Sequence, residues 1–423
     1  MAKYIIDGGK KLSGSVTVSG SKNAALPIIC ASLLTSDKTI LKNIPDIADI
    51  RSMIKIISAL GAKVSFENNV MEIDASRLKK MNMPEDLICK MRASILLIGP
   101  LLHRFKEVKM PFPGGCVLGK RSVSAHTRTL KELGCKILDQ KEELHLKASS
   151  LKGKKIILPE LSVTATENLL MASVLAQGVT EIRMAAIEPH VQDLCEFLKK
   201  MGAKIQGVGT NFLKVTGIRA LKGCNHKISG DYLEAGTLAI AGVATKSEIT
   251  VKGFNTTDLD ALWQKFSEIG VKYELKKNSI KIYPRRGLKA VEMLRTAVFP
   301  SFPTDLQAPF AVLLTQAKGV SKIFETLFEG RLNYLFELEK MGARIEYLNP
   351  HQALIIGPKR LKAIPISSCD IRAGAAMVIA ALMASGKTEI SNIRYIDRGY
   401  EKFDEKLRSI GVWIERQNGD SKK

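Results

Sequence analysis

One short phrase recurs six times along this chain, and that periodicity limits what it can fold into more than any other feature. The copies are Leu60-Gly61-Ala62-Lys63-Val64, Leu133-Gly134-Cys135-Lys136-Ile137, Met201-Gly202-Ala203-Lys204-Ile205, Ile269-Gly270-Val271-Lys272-Tyr273, Met341-Gly342-Ala343-Arg344-Ile345 and Ile410-Gly411-Val412-Trp413-Ile414. Their glycines are 68 to 73 residues apart, so six units of about 70 residues account for all 423 positions. Before each glycine the apolar residues have helical spacing, as in Met53, Ile56, Ile57 and Leu60. Glycine adopts positive φ without steric cost and so ends such a helix. An alternating strand, a polar turn and a second strand follow, well seen in Val64-Ser65-Phe66, Asn68-Asn69 and Val70 to Ile73. A Leu then recurs at positions 78, 151, 221, 288 and 361.

The other half of each unit is a small-residue apolar helix followed by a strand, for example Glu234 to Ala244 before Ser247 to Val251, and Ala373 to Ala384 before Lys387 to Ile390. Helices apolar on every side belong in an interior. The predicted unit is therefore strand, helix, strand, helix and hairpin, an α/β fold built from α+β repeats. The sixth unit lacks its second hairpin strand, because the chain ends soon after Glu415. The N-terminus carries the matching phrase, Lys3 to Asp7 and then Leu12-Ser13-Gly14. Two lobes of three units are expected: residues 21–230, carrying the glycine-rich Cys116 loop, and residues 1–20 with 231–423, the first strand coming from the N-terminus. A cleft between lobes is a favoured place for ligands.

Composition narrows the class. Hydrophobic residues at 45% and charged residues at 25% are ordinary for a soluble globular protein. The longest apolar run, Ala373 to Ser385, is too short to span a bilayer, and the N-terminus lacks a signal pattern. Seven scattered cysteines do not form a disulfide framework, so a reduced, cytoplasmic protein is expected. Lys and Arg number 64 against 42 Asp and Glu, a net charge of +22. Nucleic acid, an anionic membrane surface or a small polyanionic substrate would each suit that excess. With two Trp and eight Tyr, and no interleaving of aromatic and basic residues, base stacking is disfavoured. Most of the lysines are spread out and read as a solvated surface.

Departures from the repeat mark the candidate chemistry. Ser19-Gly20-Ser21-Lys22-Asn23 places a cation at the start of the first helix, where backbone amides also attract anions; an ordinary capped, solvated start is the plainer reading. Pro111 to Arg121 holds two Pro and three Gly around Cys116, with Lys120 and Arg121 close behind. Nearby cations favour a reactive thiol. Cys30, Cys89, Cys135 and Cys195 read instead as small buried hydrophobes. No second Cys or His stands at metal-ligand spacing, so a zinc site is not expected. Phe302-Pro303-Thr304-Asp305 leads into an apolar helix, where Thr304 or Asp305 is either a cap or a functional group. Arg92, Arg331, Arg372 and Arg398 lie at element ends, suited either to binding phosphate or carboxylate or to surface pairing with a neighbouring Asp.

Taken together, Ser21-Lys22-Asn23-Ala24-Ala25, Met91-Arg92-Ala93-Ser94, Pro113-Gly114-Gly115-Cys116, Phe302-Pro303-Thr304-Asp305, Asp370-Ile371-Arg372 and Ile396-Asp397-Arg398-Gly399-Tyr400 closely resemble the UDP-N-acetylglucosamine 1-carboxyvinyltransferases of the enolpyruvyl transferase family, in order and over nearly the full length. The resemblance implies two lobes, each an inside-out α/β barrel of three repeats. It implies transfer of the enolpyruvyl group of phosphoenolpyruvate to the 3′-hydroxyl of UDP-N-acetylglucosamine with release of phosphate, the opening step of peptidoglycan precursor synthesis. The reaction is an addition–elimination, and no metal or organic cofactor is implied. Cys116 is similar to the loop thiol that serves as general acid, forms an adduct with phosphoenolpyruvate and is alkylated by fosfomycin. Asp305 resembles the carboxylate that takes the sugar hydroxyl proton. Lys22, Arg121 and Arg398 match cations that bind phosphoenolpyruvate, with Arg331, Asp370 and Arg372 in the same cluster. Asn23, Arg92, Ser122, Val123, Ser124, Ala125, Ser162, Val163 and Leu327 match the nucleotide-sugar positions.

The chain departs from the family pattern in three places. Ser122-Val123-Ser124-Ala125-His126 stands where many members read Pro-Val-Asp-Leu-His, which removes a carboxylate at Ser124. Glu160 replaces a common Lys, and Leu327 a common Val. The nearest rival is the related 3-phosphoshikimate transferase, which has no thiol in this loop. Others are a basic nucleic-acid-binding repeat protein, whose binding would be strongly salt-dependent, and a silent paralogue, disfavoured by Lys22, Cys116, Asp305 and Arg398. The sequence sets no oligomeric state.

Overall fold

The computed structural model describes residues 2–81, 83–114, 122–139 and 141–418. They form two compact units, one of residues 2–19 and 230–418 and the other of residues 20–114 and 122–229. Each has its own hydrophobic core.

In the first unit three apolar helices, Tyr232–Ala244, Thr304–Leu314 and Ile371–Met383, pack against one another. Every residue of Tyr232–Ala244 is buried, which is why that helix is apolar all round. Sheets surround these helices. Each has a short strand parallel to the strand that follows a buried helix, and an antiparallel hairpin beyond: Met293–Arg295, Gly319–Phe324, Gln352–Gly357 and Arg344–Asn349 in one case. This is the inside-out arrangement, with helices within and sheets outside. The six repeat glycines, Gly61, Gly134, Gly202, Gly270, Gly342 and Gly411, all have φ between 85° and 105°, the left-handed backbone that ends the helix before each hairpin. The Asn68-Asn69 turn has φ of 48° and 60°, as a two-residue hairpin requires.

Two short strands pair in one unit while the helix that follows each belongs to the other. Ser13–Thr17, which precedes the helix Lys22–Ala31, pairs in parallel with Glu248–Lys252 of the first unit. Asn225–Lys227, which precedes Tyr232–Ala244, pairs in parallel with Thr39–Lys42 of the second. The chain passes between units at Ser19–Gly20 and again at Ser229–Gly230. The unit spanning Leu78 to Leu151 departs from the predicted order. Its sheet has three strands among the described residues, Glu107–Met110, Leu144–Lys147 and Lys136–Asp139. Where a leading strand is expected the chain instead forms the one-turn helix Glu85–Ile88. Pro84 precedes that helix, and Glu85 and Asp86 fill its first turn, all features that favour a helix start over a strand.

Lys3–Gly8 lies between Gly386–Ser391 and Trp413–Gln417, antiparallel to both, with Tyr4 and Ile6 fully buried. Deleting residues 2–12 is expected to destabilise the first unit by about 3–6 kcal/mol, from the loss of two large buried side chains alone. Amide exchange reads this directly. Amides of 386–391 and 413–417 lose protection while those of 39–42 and 70–74 keep theirs; the opposite pattern refutes the closing role of this strand.

Candidate active site

In the first unit the site is built where the buried helices begin. Thr304–Leu314 starts after Pro303 with no side-chain cap, so Asp305 does not serve as one. Its carboxylate pairs with two guanidiniums instead: Oδ1 accepts from Arg331 Nη2, and Oδ2 lies 3.2 Å from Arg372 Nε. Arg331 comes from the single turn Glu329–Leu332, and Arg372 from the first turn of Ile371–Met383. Their side chains are only 4% and 5% exposed, whereas that of Asp305 is 27% exposed. Asp370 caps the Arg372 helix, accepting from the backbone N–H of Arg372 and Ala373 at 2.8 and 2.9 Å. The guanidinium of Arg372 sits 5.3 Å from the centre of the Tyr400 ring, whose hydroxyl meets Thr237 Oγ1 at 3.1 Å.

Burial pulls the Arg331 guanidinium toward losing its proton, but Asp305, Asp370 and Glu325 outweigh it and hold the group above its ordinary range. Arg372 behaves alike, with burial outweighed by Tyr400, Asp305 and Asp231. Both are fixed cations. Arg331 Nε and Arg372 Nη1 are buried and have no hydrogen-bond acceptor among the described residues. A buried charged donor without an acceptor is costly, so a site retaining two is suited to an anion. Arg398 ends the short helix Ile393–Arg398, half-buried, while its neighbour Asp397 takes Arg416 in a fork at 2.8 and 2.7 Å. Leu327 is 39% exposed in the turn after Glu325.

In the second unit Lys22 opens the helix Lys22–Ala31, and the Ser21 hydroxyl accepts from Ala24 N–H at 3.4 Å. The Lys22 ammonium lies 3.0 Å from Asp49 Oδ2, with side chains 12% and 7% exposed. This is a held, mostly buried pair and not the solvated lysine that a plain capped start would give. Asn23 follows it, half-buried. Arg92 begins the turn Arg92–Leu97 and donates to the Ser122 carbonyl at 2.7 Å. Ser122 Oγ donates to Ser124 Oγ at 2.7 Å and accepts from Ser124 N–H at 3.0 Å, shaping the entry through Val123 into the helix Ser124–Glu132, where Ala125 is buried. Ser162 precedes Val163–Ser173, and its carbonyl accepts from Thr166 N–H and Oγ1 at 3.0 and 2.8 Å.

His126 and Asn168 join these segments. Asn168 Nδ2 donates to Ile95 O at 2.8 Å and to His126 Nδ1 at 3.0 Å, and Asn168 Oδ1 accepts from Gly99 N–H at 3.0 Å. His126 Nε2 then donates to Thr164 Oγ1 at 3.1 Å. Burial, helped by the charge of Arg92, pushes the imidazole down to about 3, so it stays neutral and holds this tautomer. Arg92, Ser122 to Ala125 and Ser162 to Val163 are thus tied through one buried network. Sequence reasoning missed it, although a polar Thr166-Glu167-Asn168 stretch inside an apolar helix was a visible signal. Asp49 and Glu325 were missed too, each an unremarkable acid at an element end.

Cys116 and Arg121 lie outside the described residues. The chain enters that segment at Gly114, where an added Cβ would stand 2.0 Å from the Cys89 carbonyl oxygen, so no larger residue fits there. Cys30, Cys135 and Cys195 are buried, and burial pushes Cys135 up to about 11 and Cys195 up to about 12, so they are inert thiols. Cys89 corrects the expectation of burial: it is exposed just past the one-turn helix, where Ile88 and not Cys89 turns inward, and its sulfur lies 3.5 Å from Phe112 O.

The sequence model of the EPSP synthase (3-phosphoshikimate 1-carboxyvinyltransferase) family matches residues 6–407. A UDP-N-acetylglucosamine 1-carboxyvinyltransferase of Borrelia garinii subsp. bavariensis is 40% identical over 423 residues, covering 98% of this chain and 99% of the relative. That of Methylacidiphilum infernorum is 41% identical over 419 residues, with the same coverage of each. Among solved structures, the enolpyruvyl transferase NikO from Streptomyces tendae superposes with a TM-score of 0.89 at 23% identity over 99% of both chains. EPSP synthase from Acinetobacter baumannii gives 0.76 at 18% identity, covering 99% of this chain and all of the other. These two show a shared fold. Among the described residues no helix is long and apolar enough to cross a membrane.

Proposed function

Because this chain belongs to the EPSP synthase family, we propose that it is a cytoplasmic enolpyruvyl transferase acting on phosphoenolpyruvate and UDP-N-acetylglucosamine in peptidoglycan precursor synthesis. The observation that carries the acceptor is near-complete coverage of relatives of that name at 40% and 41% identity, against 18% for the EPSP synthase structure. The 3-phosphoshikimate transferase is the weaker reading for that reason, and for the thiol in Pro113-Gly114-Gly115-Cys116.

Residue roles follow from the chemistry each group can do. Asp305, the partly exposed member of its buried cluster, takes the proton of the attacking sugar hydroxyl. Arg331 and Arg372 hold that carboxylate in place, and their charge stabilises the anionic tetrahedral adduct. Lys22, Arg121 and Arg398 bind the phosphate and carboxylate of phosphoenolpyruvate. Lys22 is held by Asp49, so binding exchanges one anionic partner for another or adds a second. Cys116 protonates the vinyl carbon as the new C–O bond forms. Loss of phosphate then regenerates the double bond, with a proton leaving the same methyl carbon. Asn23, Arg92, Ser122 to Ala125, Ser162, Val163 and Leu327 contact the nucleotide sugar, and the His126–Asn168 network holds the segments that carry Arg92, Ser122 to Ala125, Ser162 and Val163. Ser124, in place of a carboxylate, contacts the nucleotide with a neutral hydroxyl.

A phosphate-release assay tests the assignment. Phosphate is expected to appear with phosphoenolpyruvate and UDP-N-acetylglucosamine together and not with shikimate 3-phosphate as acceptor. Release with shikimate 3-phosphate alone reverses the choice between the two.

A further inference from the structure

Glu325 is fully buried, directly follows the strand Gly319–Phe324 and uses both carboxylate oxygens. Oε2 accepts from Thr304 Oγ1 at 2.8 Å, the residue just before Asp305. Oε1 accepts from the backbone N–H of Leu327 and Phe328 at 2.9 and 3.3 Å. The backbone of Glu325 is itself fixed, with N–H to His351 O and O to His351 Nδ1, both at 2.8 Å. The ring of Phe328 lies under the Arg331 guanidinium at 5.5 Å. One carboxylate therefore ties together the start of the Asp305 helix and the turn that delivers Leu327 and Arg331.

The charges around Asp305 come from several elements: Arg331 on the Glu329–Leu332 turn, Arg372 on its helix, Asp370 at that helix's cap, Glu325 at the strand end, and Asp231 and Tyr400 against Arg372. Tyr334, bonded to Gln307 at 2.9 Å, faces Glu325, Arg331 and Asp370. A carboxylate gripped by two guanidiniums is a poor proton acceptor. Each further carboxylate facing those guanidiniums weakens their hold on Asp305. Asp370 and Glu325 both face Arg331, and of the two Glu325 is also bonded to Thr304, the neighbour of Asp305.

We propose that Glu325 is a positioning residue that fixes Thr304 beside Asp305 and, by facing Arg331, keeps Asp305 able to accept the substrate proton. This rests on the reading of Asp305 as the proton acceptor. The test compares pH profiles of kcat by phosphate release for wild type, Glu325→Gln, Glu325→Asp and Asp305→Asn. In Glu325→Gln the charge is lost and Asp305 is held more tightly. Its acid limb is expected to move to lower pH by about one unit, and kcat on the plateau to fall about tenfold. KM for both substrates should stay within about twofold. Glu325→Asp keeps the charge, so its limb returns to the wild-type position although the shorter reach lowers kcat. A purely structural role lowers kcat and thermal stability with no movement of the limb in Glu325→Gln, and that result overturns the proposal. Should Glu325→Gln fail to fold, Thr304→Val carries the test, because it removes the hydroxyl that Glu325 holds and leaves the charge: kcat lowered about tenfold with KM within about twofold supports the proposal, and wild-type kcat overturns it. Full activity in Asp305→Asn removes the underlying reading and this proposal with it. An inactive Asp305→Asn with an unmoved limb in Glu325→Gln removes this proposal alone.

Discussion

Cys116→Ser is expected to lower kcat at neutral pH by about 10²–10⁴-fold and to abolish inactivation by fosfomycin. Carbon is a slow site of protonation, so the acid must be strong enough to give up its proton and well enough placed to give it to one carbon. A serine hydroxyl is several powers of ten weaker as an acid than a thiol, and it does not open an epoxide at a useful rate. Cys116→Asp separates the two properties. A carboxyl group donates a proton readily but is a weak nucleophile toward an epoxide, so this variant should turn over and resist the drug. Its activity should also favour lower pH, where the carboxyl is protonated. Phosphate release before and after incubation with fosfomycin measures both. Undiminished inactivation of Cys116→Ser refutes the thiol assignment. An inactive Cys116→Asp that folds normally shows that the sulfur does more than donate a proton.

The repeat was legible because its marks are local and steric. Six glycines at positive φ, each followed by an alternating strand, leave a phrase that needs no tertiary information to be seen. The buried helices were legible because a helix covered on all sides has no reason to carry charge. The lobe of each short strand follows from the expected bounds, but the pairing partners of Ser13–Thr17 and Asn225–Lys227 were not legible, because strands of five and three residues give too few alternations to show a partner. The one-turn helix Glu85–Ile88 was missed because the repeat pattern was extended over a stretch whose local residues favour a helix start.

At the site, residue type was readable and partnership was not. Lys22 and Asp49 are 27 positions apart on two helices, so nothing local announces a 3.0 Å pair. Asp305 had two chemically sound readings, because a carboxylate in a helix's first turn is as well suited to capping as to catalysis. The structure removes the cap, because the helix has no side-chain cap and the carboxylate pairs with Arg331 and Arg372 from two other elements. The same three-dimensional information separates Cys30 and Cys195, enclosed by the core, from Cys89, which a sequence pattern grouped with them.

The cluster around Asp305 makes catalysis and stability separable there. Asp305→Asn is expected to reduce kcat by about 10²–10⁴-fold, since an amide cannot take the hydroxyl proton. It also turns one acceptor oxygen into a donor facing a guanidinium, leaving one of Arg331 Nη2 and Arg372 Nε without its partner. That costs about 1–3 kcal/mol. Asp370 and Glu325 still face Arg331, and Asp231 still faces Arg372, so neither buried cation is stranded. The variant should therefore fold, with tryptophan emission from Trp263 and Trp413 showing the first unit intact. Arg331→Met is the contrasting case. It removes a cation that three carboxylates face, and those buried like charges then repel, so about 3–5 kcal/mol is lost and the first unit opens at milder denaturant. If Asp305→Asn instead unfolds as readily as Arg331→Met, the carboxylate is chiefly a structural counter-ion. If it keeps wild-type kcat, another group takes the proton.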